Sequence, residues 1–108
     1  MSSDKDFRPS YYALVYSMLK DVALDCGWAL AVHGSLASDL DLVAVAWEDD
    51  SKPLYKLLAA FADKLKGTAF GYVWNGPHMA GANREVWTLS LERDVYLDLN
   101  VFDNRKGK

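Results

Sequence analysis

The sequence has little cysteine, little proline and no long apolar run. Cys26 is the single cysteine among 108 residues, which excludes a disulfide framework within the chain and a metal cluster built from thiolates. The first nine residues, MSSDKDFRP, contain no apolar segment of signal-peptide length, and no stretch reaches the roughly 18 apolar residues of a membrane span. We therefore expect a protein of the cytoplasm that does not enter a membrane.

Positive charge is also scarce. The chain has 12 Lys and Arg against 15 Asp and Glu, a net charge of −3, which argues against nucleic-acid or membrane binding through bulk electrostatics. The rest of the composition, 51% apolar and 25% charged, is typical of a globular domain. The length predicts one domain over residues 1–108, with residues 1–9 and 103–108 as loose termini.

Two segments have the three- and four-residue spacing of apolar side chains that is typical of amphipathic helices. The first begins at the candidate N-cap Ser10 and ends at Gly27. The second begins in the acidic residues 48–50 followed by Ser51, has Pro53 in its first turn and ends at Gly67. The positions expected to face the core are Tyr11, Leu14, Val15, Met18, Leu19, Val22 and Cys26 in the first helix, and Leu54, Leu57, Leu58, Phe61 and Leu65 in the second.

Five further segments have the apolar, aromatic or alternating character of strands. The connection Gly34–Ser38 is too short for a crossover, so the first two strands should be antiparallel neighbours. Asn75–Asn83 is rich in turn residues without a period and is predicted to be a loop. The helix, two strands, helix, three strands order predicts an α+β fold, with a mixed, largely antiparallel sheet and two helices packed on it. The predicted strands are Trp28–His33, Asp39–Trp47, Thr68–Trp74, Arg84–Leu91 and Val95–Phe102.

Three aspartates are candidates for a shared acidic site. Asp39 and Asp41 are two residues apart on a strand, so their side chains should point to one face while Leu40 points to the other. Asp98 lies in a cleanly alternating strand, with Asn100 on the same face. Neighbouring carboxylates repel one another, and a divalent metal ion is the usual compensation. The alternative is a face open to water, with the first two aspartates bonded to the preceding turn.

The residues around these aspartates resemble a known superfamily. HGS at His33–Ser35, DLDL at Asp39–Leu42 and YLDLNV at Tyr96–Val101 are similar to the motifs of the polymerase-β-like nucleotidyltransferases, and the size is closest to the minimal nucleotidyltransferases. The same stretches resemble short uncharacterised proteins of phages and prophages. The first resemblance implies the nucleotidyltransferase fold and Mg²⁺-dependent transfer of a nucleotide from a nucleoside triphosphate to an acceptor that the sequence does not identify.

The superfamily resemblance also implies roles for individual residues. Asp39 and Asp41 would hold the metal ions, and Asp98 would hold the ion that activates the acceptor and act as the catalytic base. Gly34 would let backbone amides approach a phosphate, and Ser35 would donate its hydroxyl to it. The implied cofactor is Mg²⁺ or Mn²⁺.

The sequence departs from the superfamily pattern in two ways. Only residues 36–38 separate Gly-Ser from Asp39, where the family has a longer stretch that helps to bind the nucleotide. Basic residues that would contact a triphosphate are few, with Lys52, Lys56 and Arg84 as the candidates. Two alternatives therefore stay open: a non-catalytic binding or regulatory module of phage origin, and a metal-dependent phosphodiesterase or nuclease. We also expect a protein this small to need a partner chain or a homodimer to complete its substrate surface.

Overall fold

The computed structural model describes residues 8–34, 36, 39–66, 74–79, 84–91 and 96–103. They form two helices and five strands, in chain order α1 (Arg8–Asp25), β1 (Trp28–Val32), β2 (Leu40–Ala46), α2 (Leu54–Lys66), β3 (Trp74–Met79), β4 (Arg84–Ser90) and β5 (Tyr96–Phe102). Of the termini predicted to be loose, residues 1–9 and 103–108, residues 1–7 and 104–108 lie outside the described residues, whereas Arg8 and Pro9 belong to α1.

The five strands form one mixed sheet in the order β1-β2-β5-β4-β3. Strands β2 and β5 are parallel, whereas the other three neighbouring pairs are antiparallel. This architecture confirms the predicted α+β fold and the antiparallel pairing of the first two strands. The parallel pair lies at the centre of the sheet, where β5 is inserted between β2 and β4.

Both helices contribute to one hydrophobic core on a single face of the sheet. Alternation along β2 buries Leu40, Leu42 and Ala44, and alternation along β5 buries Leu97, Leu99 and Val101. The opposite face of the sheet, which includes Ala31, Asp41, Asp98 and Thr88, is called the open face here. The helix residues buried in the core are Tyr12, Val15, Leu19, Ala23, Leu57, Leu58, Phe61 and Leu65.

Helix α1 differs from the prediction in its start and in its buried face. It begins at Arg8, so Ser10 lies inside the helix and is not its N-cap. Leu14 was expected in the core but is 52% exposed, whereas Tyr12 and Ala23, which were not expected there, are fully buried. Apolar residues lie on several sides of this helix, so spacing alone did not identify the face that contacts the sheet. In α2, by contrast, the expected stripe is confirmed, with its first leucine half-buried.

The predicted start of α2 is wrong. Glu48 and Ser51 were expected to begin the helix, but it begins at Leu54, and the carbonyl of Pro53 accepts the bonds from Lys56 N (3.0 Å) and Leu57 N (3.3 Å). Ser51 is buried in the connection and bonds elsewhere. The acidic residues therefore precede the helix by more than one turn.

The third strand also differs from the prediction. Thr68–Trp74 was expected to be the strand and Asn75–Asn83 a loop, but 74–79 form β3, paired with β4. The pairing shifts register between Asn75 and His78, so Pro77 lies at an irregularity of an edge strand, where its missing N–H is tolerated. Residues 68–73 and 80–83 lie outside the described residues.

The two edges of the described sheet are blocked in different ways. At the edge formed by β1, the backbone N–H of His33 donates to the Asp41 carbonyl at 2.8 Å, so the backbone groups of residues 29, 31 and 33 face β2. By alternation the Leu30 carbonyl points away from β2. The Tyr16 hydroxyl of α1 donates to that carbonyl at 3.2 Å. At the other edge, Pro77 and the register shift interrupt the ladder. Both arrangements reduce the capacity of an edge to pair with a further strand.

The turn after α1 is tied to the segment before α2. Gly27 has a φ of +81°, and its carbonyl accepts a 2.5 Å bond from the Ser51 hydroxyl. The same hydroxyl accepts from the backbone N–H of Glu48 at 3.1 Å. The indole of Trp28 donates to the Lys52 carbonyl at 2.8 Å. Buried polar groups here are satisfied by one another, which fixes the path of both connections.

Replacing Gly27 with alanine is expected to destabilise the protein strongly. A Cβ at this position would lie 2.9 Å from the backbone Cα of Ser51, in a left-handed conformation. The conformation costs about 1 kcal/mol and overpacking adds about 1 kcal/mol or more, so Gly27→Ala should lose roughly 2 kcal/mol at least. Gly34→Ala is a matched control, because its φ is +80° but its Cβ would meet no atom of the described residues closer than 3.9 Å. Urea denaturation should show the larger loss for Gly27→Ala, and equal losses would contradict the packing argument.

Candidate functional site

Four polar side chains form a row across one end of the open face. His33 is bonded to Asp41 through the backbone, Asp41 is the register partner of Asp98, and Asp98 is the register partner of Thr88. The row therefore runs from the end of β1 across β2 and β5 to β4. Neighbouring strands are about 4.8 Å apart, so each side chain lies beside the next.

The alternation of β2 and β5 puts the two carboxylates on this face. Leu40 and Leu42 are buried in the core, which leaves Asp41 half-buried on the other side. In the same way Leu97 and Leu99 are buried on either side of Asp98. The predicted facing of both strands is confirmed by this burial pattern.

The pairing crowds negative charge at Asp41. Its pKa is raised above 3.8, chiefly because partial burial disfavours the ionised carboxylate, and further because Asp98 and Asp39 are negative neighbours. His33 acts in the opposite direction and lowers the pKa of Asp41. A cation bound at this point would relieve the repulsion.

Thr88 is a site residue that sequence reasoning missed. Its hydroxyl donates to Asp98 Oδ1 at 2.7 Å across the β4–β5 pair. No motif identifies it, because its position opposite Asp98 depends on the register with which β4 pairs with β5. Asn100, expected on the same face as Asp98, donates to the Leu42 carbonyl at 3.1 Å and so bonds to the sheet backbone.

Gly34 lies at the end of β1, next to Asp41. With a φ of +80° it adopts a conformation that favours glycine, and a Cβ built there would lie 3.9 Å from Asp41 Oδ2. The backbone is thus close to the carboxylate. Ser35, predicted to donate its hydroxyl to a phosphate, lies outside the described residues, and its role stays a prediction.

The arrangement is a carboxylate pair, with a third acid nearby. Within the described ranges, no three His, Cys, Asp or Glu side chains form a group that could hold a metal ion together. Asp41 and Asp98 are adjacent, and Asp39 is close enough to affect the pKa of Asp41. Mg²⁺ in nucleotide sites is usually bound through one or two carboxylates and the substrate phosphates, so the donor set fits that ion with its nucleotide.

The basic residues suggested by the sequence lie away from this row. The Lys52 carbonyl accepts from the indole of Trp28, at the opposite end of β1 from the site, and Lys56 follows it at the start of α2. Arg84 is four positions along β4 from the partner of Asp98, or about 13 Å along the strand. None of these three cations adjoins the carboxylate pair.

No helix in the described part of the chain combines the length and the apolar character of a membrane span.

Comparison with known proteins identifies the fold. No family model and no curated protein sequence matches this chain. Among solved structures it is similar to a cytoplasmic RNA terminal U-transferase, with a TM-score of 0.53 and 17% identity over 93% of this chain and 30% of the other. The Cid1 poly(U) polymerase gives a TM-score of 0.53 and 15% identity over 90% of this chain and 31% of the other. The GLD-2/RNP-8 complex gives a TM-score of 0.52 and 15% identity over 90% of this chain and 41% of the other.

These likenesses confirm the nucleotidyltransferase-like fold that the sequence resemblance implied. They also show that this chain spans 30–41% of the length of those three structures. At 15–17% identity, they concern the fold alone.

Asp41→Asn is expected to stabilise the protein at neutral pH. A raised pKa means that the native state binds the Asp41 proton more tightly than the unfolded chain does. Wild-type stability should therefore fall as the pH rises from below 3.8 through the raised pKa, and the advantage of the variant should develop over that interval and persist above it. Thermal unfolding at a series of pH values measures this difference.

Asp63→Asn is the control for loss of one charge, since Asp63 is exposed on α2. It should not reproduce the pH-dependent gain. An Asp41→Asn protein that is less stable than the wild type at pH 7 would show that the carboxylate makes a favourable native contact.

Proposed function

We propose that this chain is a nucleotidyltransferase-like protein that binds a nucleoside triphosphate with a divalent metal ion at Asp41 and Asp98, and transfers the nucleotide to an acceptor. The observation that carries the proposal is the register pair of these two aspartates on the open face. The fold shared with a terminal U-transferase and a poly(U) polymerase supports the same class of reaction.

The proposed roles follow from the positions of the residues. Asp41 and Asp98 would hold Mg²⁺ or Mn²⁺, and Asp39, the third ligand that the sequence predicts, would lie nearby and add negative charge. The ion would supply charge neutralisation at the phosphates and activation of the attacking hydroxyl. Asp98 would also accept the proton of the acceptor hydroxyl. Gly34 would let a phosphate approach the backbone, and Ser35 would donate to it.

A second candidate is a non-catalytic binding or regulatory module with the same fold. It is favoured by the distance of Lys52, Lys56 and Arg84 from the carboxylate pair, because nucleotidyl transfer needs positive charge along the triphosphate. The short connection between Gly34 and Asp39 favours it too. An origin in a phage or prophage, as the second sequence resemblance suggests, stays a prediction.

Under either candidate function, a partner would supply further surface for the substrate. The similar structures are about two to three times longer, and one of them is a complex of GLD-2 with RNP-8. We propose that a partner chain or a second copy of this chain completes the substrate surface, and that the protein acts in the cytoplasm as one domain. Light scattering at working concentration distinguishes a dimer from a monomer.

Binding of Mn²⁺·ATP, measured by calorimetry, tests the proposed site. Wild-type protein should bind saturably, and the affinity should fall at least about tenfold in Asp41→Asn and in Asp98→Asn, because each removes an oxygen ligand from the ion. Asp63→Asn carries the same change of charge on α2 and should bind as the wild type does. Equal binding by all four proteins, or none by the wild type, would refute the site.

Release of pyrophosphate separates the candidate functions. A transferase should release pyrophosphate from ATP or UTP when an RNA oligonucleotide is supplied, and should lengthen the oligonucleotide. Metal-dependent nucleotide binding without either product would favour the binding module. Shortening of the oligonucleotide without nucleoside triphosphate would instead indicate a phosphodiesterase.

A further inference from the structure

The most specific side-chain bond at the site joins Thr88 to Asp98. Thr88 lies directly opposite Asp98 in the antiparallel β4–β5 pair, and its Oγ1 donates to Asp98 Oδ1 at 2.7 Å. This length is typical of a strong hydroxyl-to-carboxylate bond. Both residues are half-buried, so solvent competes for the bond less than it would at an exposed position.

The bond engages Asp98 on the side away from Asp41. Strand β5 lies between β2, which carries Asp41, and β4, which carries Thr88. The torsion that rotates an aspartate carboxylate is broad, so without a partner on β4 its two oxygens would sample many orientations. Accepting at Oδ1 restricts that rotation and leaves Oδ2 available as an ion ligand.

The donor lies outside the space between the two aspartates. Thr88 faces Asp98 from one neighbouring strand and Asp41 faces it from the other, so the bond occupies none of the space in which an ion would contact both carboxylates. Thr88 is thus placed to orient Asp98 beside Asp41.

We propose that Thr88 is a positioning residue for the carboxylate pair, which sets the affinity of the site for a divalent ion through its bond to Asp98. This inference rests on the proposed function, since it assigns Thr88 to the same site. Hydrogen bonds to ligating carboxylates typically change metal affinity by about 10- to 100-fold when they are removed.

Thr88→Val is the informative substitution, because valine keeps the branched shape and the strand preference but lacks the donor. Titration of Mn²⁺·ATP should show affinity at least about tenfold weaker than in the wild type. Thr88→Ser keeps the hydroxyl and should restore affinity to within about threefold. Ser90→Ala is the matched control, since it removes a hydroxyl from the same face of β4 at the partner of Tyr96, and should leave affinity unchanged.

Thr88→Ala provides a second comparison if the valine variant fails to fold. Thr88→Ser and Thr88→Ala differ by one hydroxyl, so a tenfold difference between them at equal thermal stability assigns the effect to the bond. Affinity that follows thermal stability across the variants would indicate a structural role and overturn the inference.

The outcomes also distinguish this inference from the proposed function. If the wild type binds Mn²⁺·ATP, Asp98→Asn does not, and Thr88→Val binds within twofold of the wild type, then the site stands and the role of Thr88 is refuted. If the wild type does not bind, or Asp98→Asn binds equally well, the proposed function itself fails and the assignment of Thr88 fails with it.

Discussion

The parallel pairing of β2 with β5 is the constraint on which the rest of the structure depends. It joins β1 and β2 to β5, β4 and β3, and it places Asp41 directly beside Asp98. Burial of the leucines on either side of each aspartate fixes this register. A slip of one residue would turn the leucines of one strand to the open face and its aspartate into the core. The hydrophobic core and the carboxylate pair are therefore consequences of a single pairing.

The pairing carries an electrostatic cost that the surroundings partly offset. Partial burial and two negative neighbours disfavour the ionised form of Asp41, while His33 favours it. Thr88 donates to Asp98 from the other side. The row across the open face thus has its acids in the centre and a stabilising group at each end. Perturbed acids with specific charge neighbours are more common at functional sites than elsewhere, which is why this row is the basis of the proposed function.

The two ends of the sheet have different characters. At one end Gly27, Ser51 and Trp28 bond to neighbouring backbone and side chains, which ties the helices to the sheet. At the other end lie Gly34 and the carboxylate pair, with the hydrogen bond from Thr88. The bonds at the first end support the fold that this chain shares with the terminal U-transferase. The second end holds the carboxylates on which the proposed function depends. The candidate cations Lys52 and Lys56 lie at the first end, away from the carboxylate pair.

The sequence by itself determined the α+β class, the presence of both helices and the facing of β2 and β5, because these follow from spacing within one segment. It did not determine the start of α2 or the strand at 74–79, since Ser51 bonds to a distant turn and Pro77 is tolerated only at an irregular edge. Thr88 was missed because the register of β4 against β5 decides which residue it faces. Only the tertiary structure decided that Asp41, Asp98 and Thr88 meet, because their contact depends on which strands are neighbours and in what register. That choice is made by burying side chains from the whole chain in one core, and no local pattern records it.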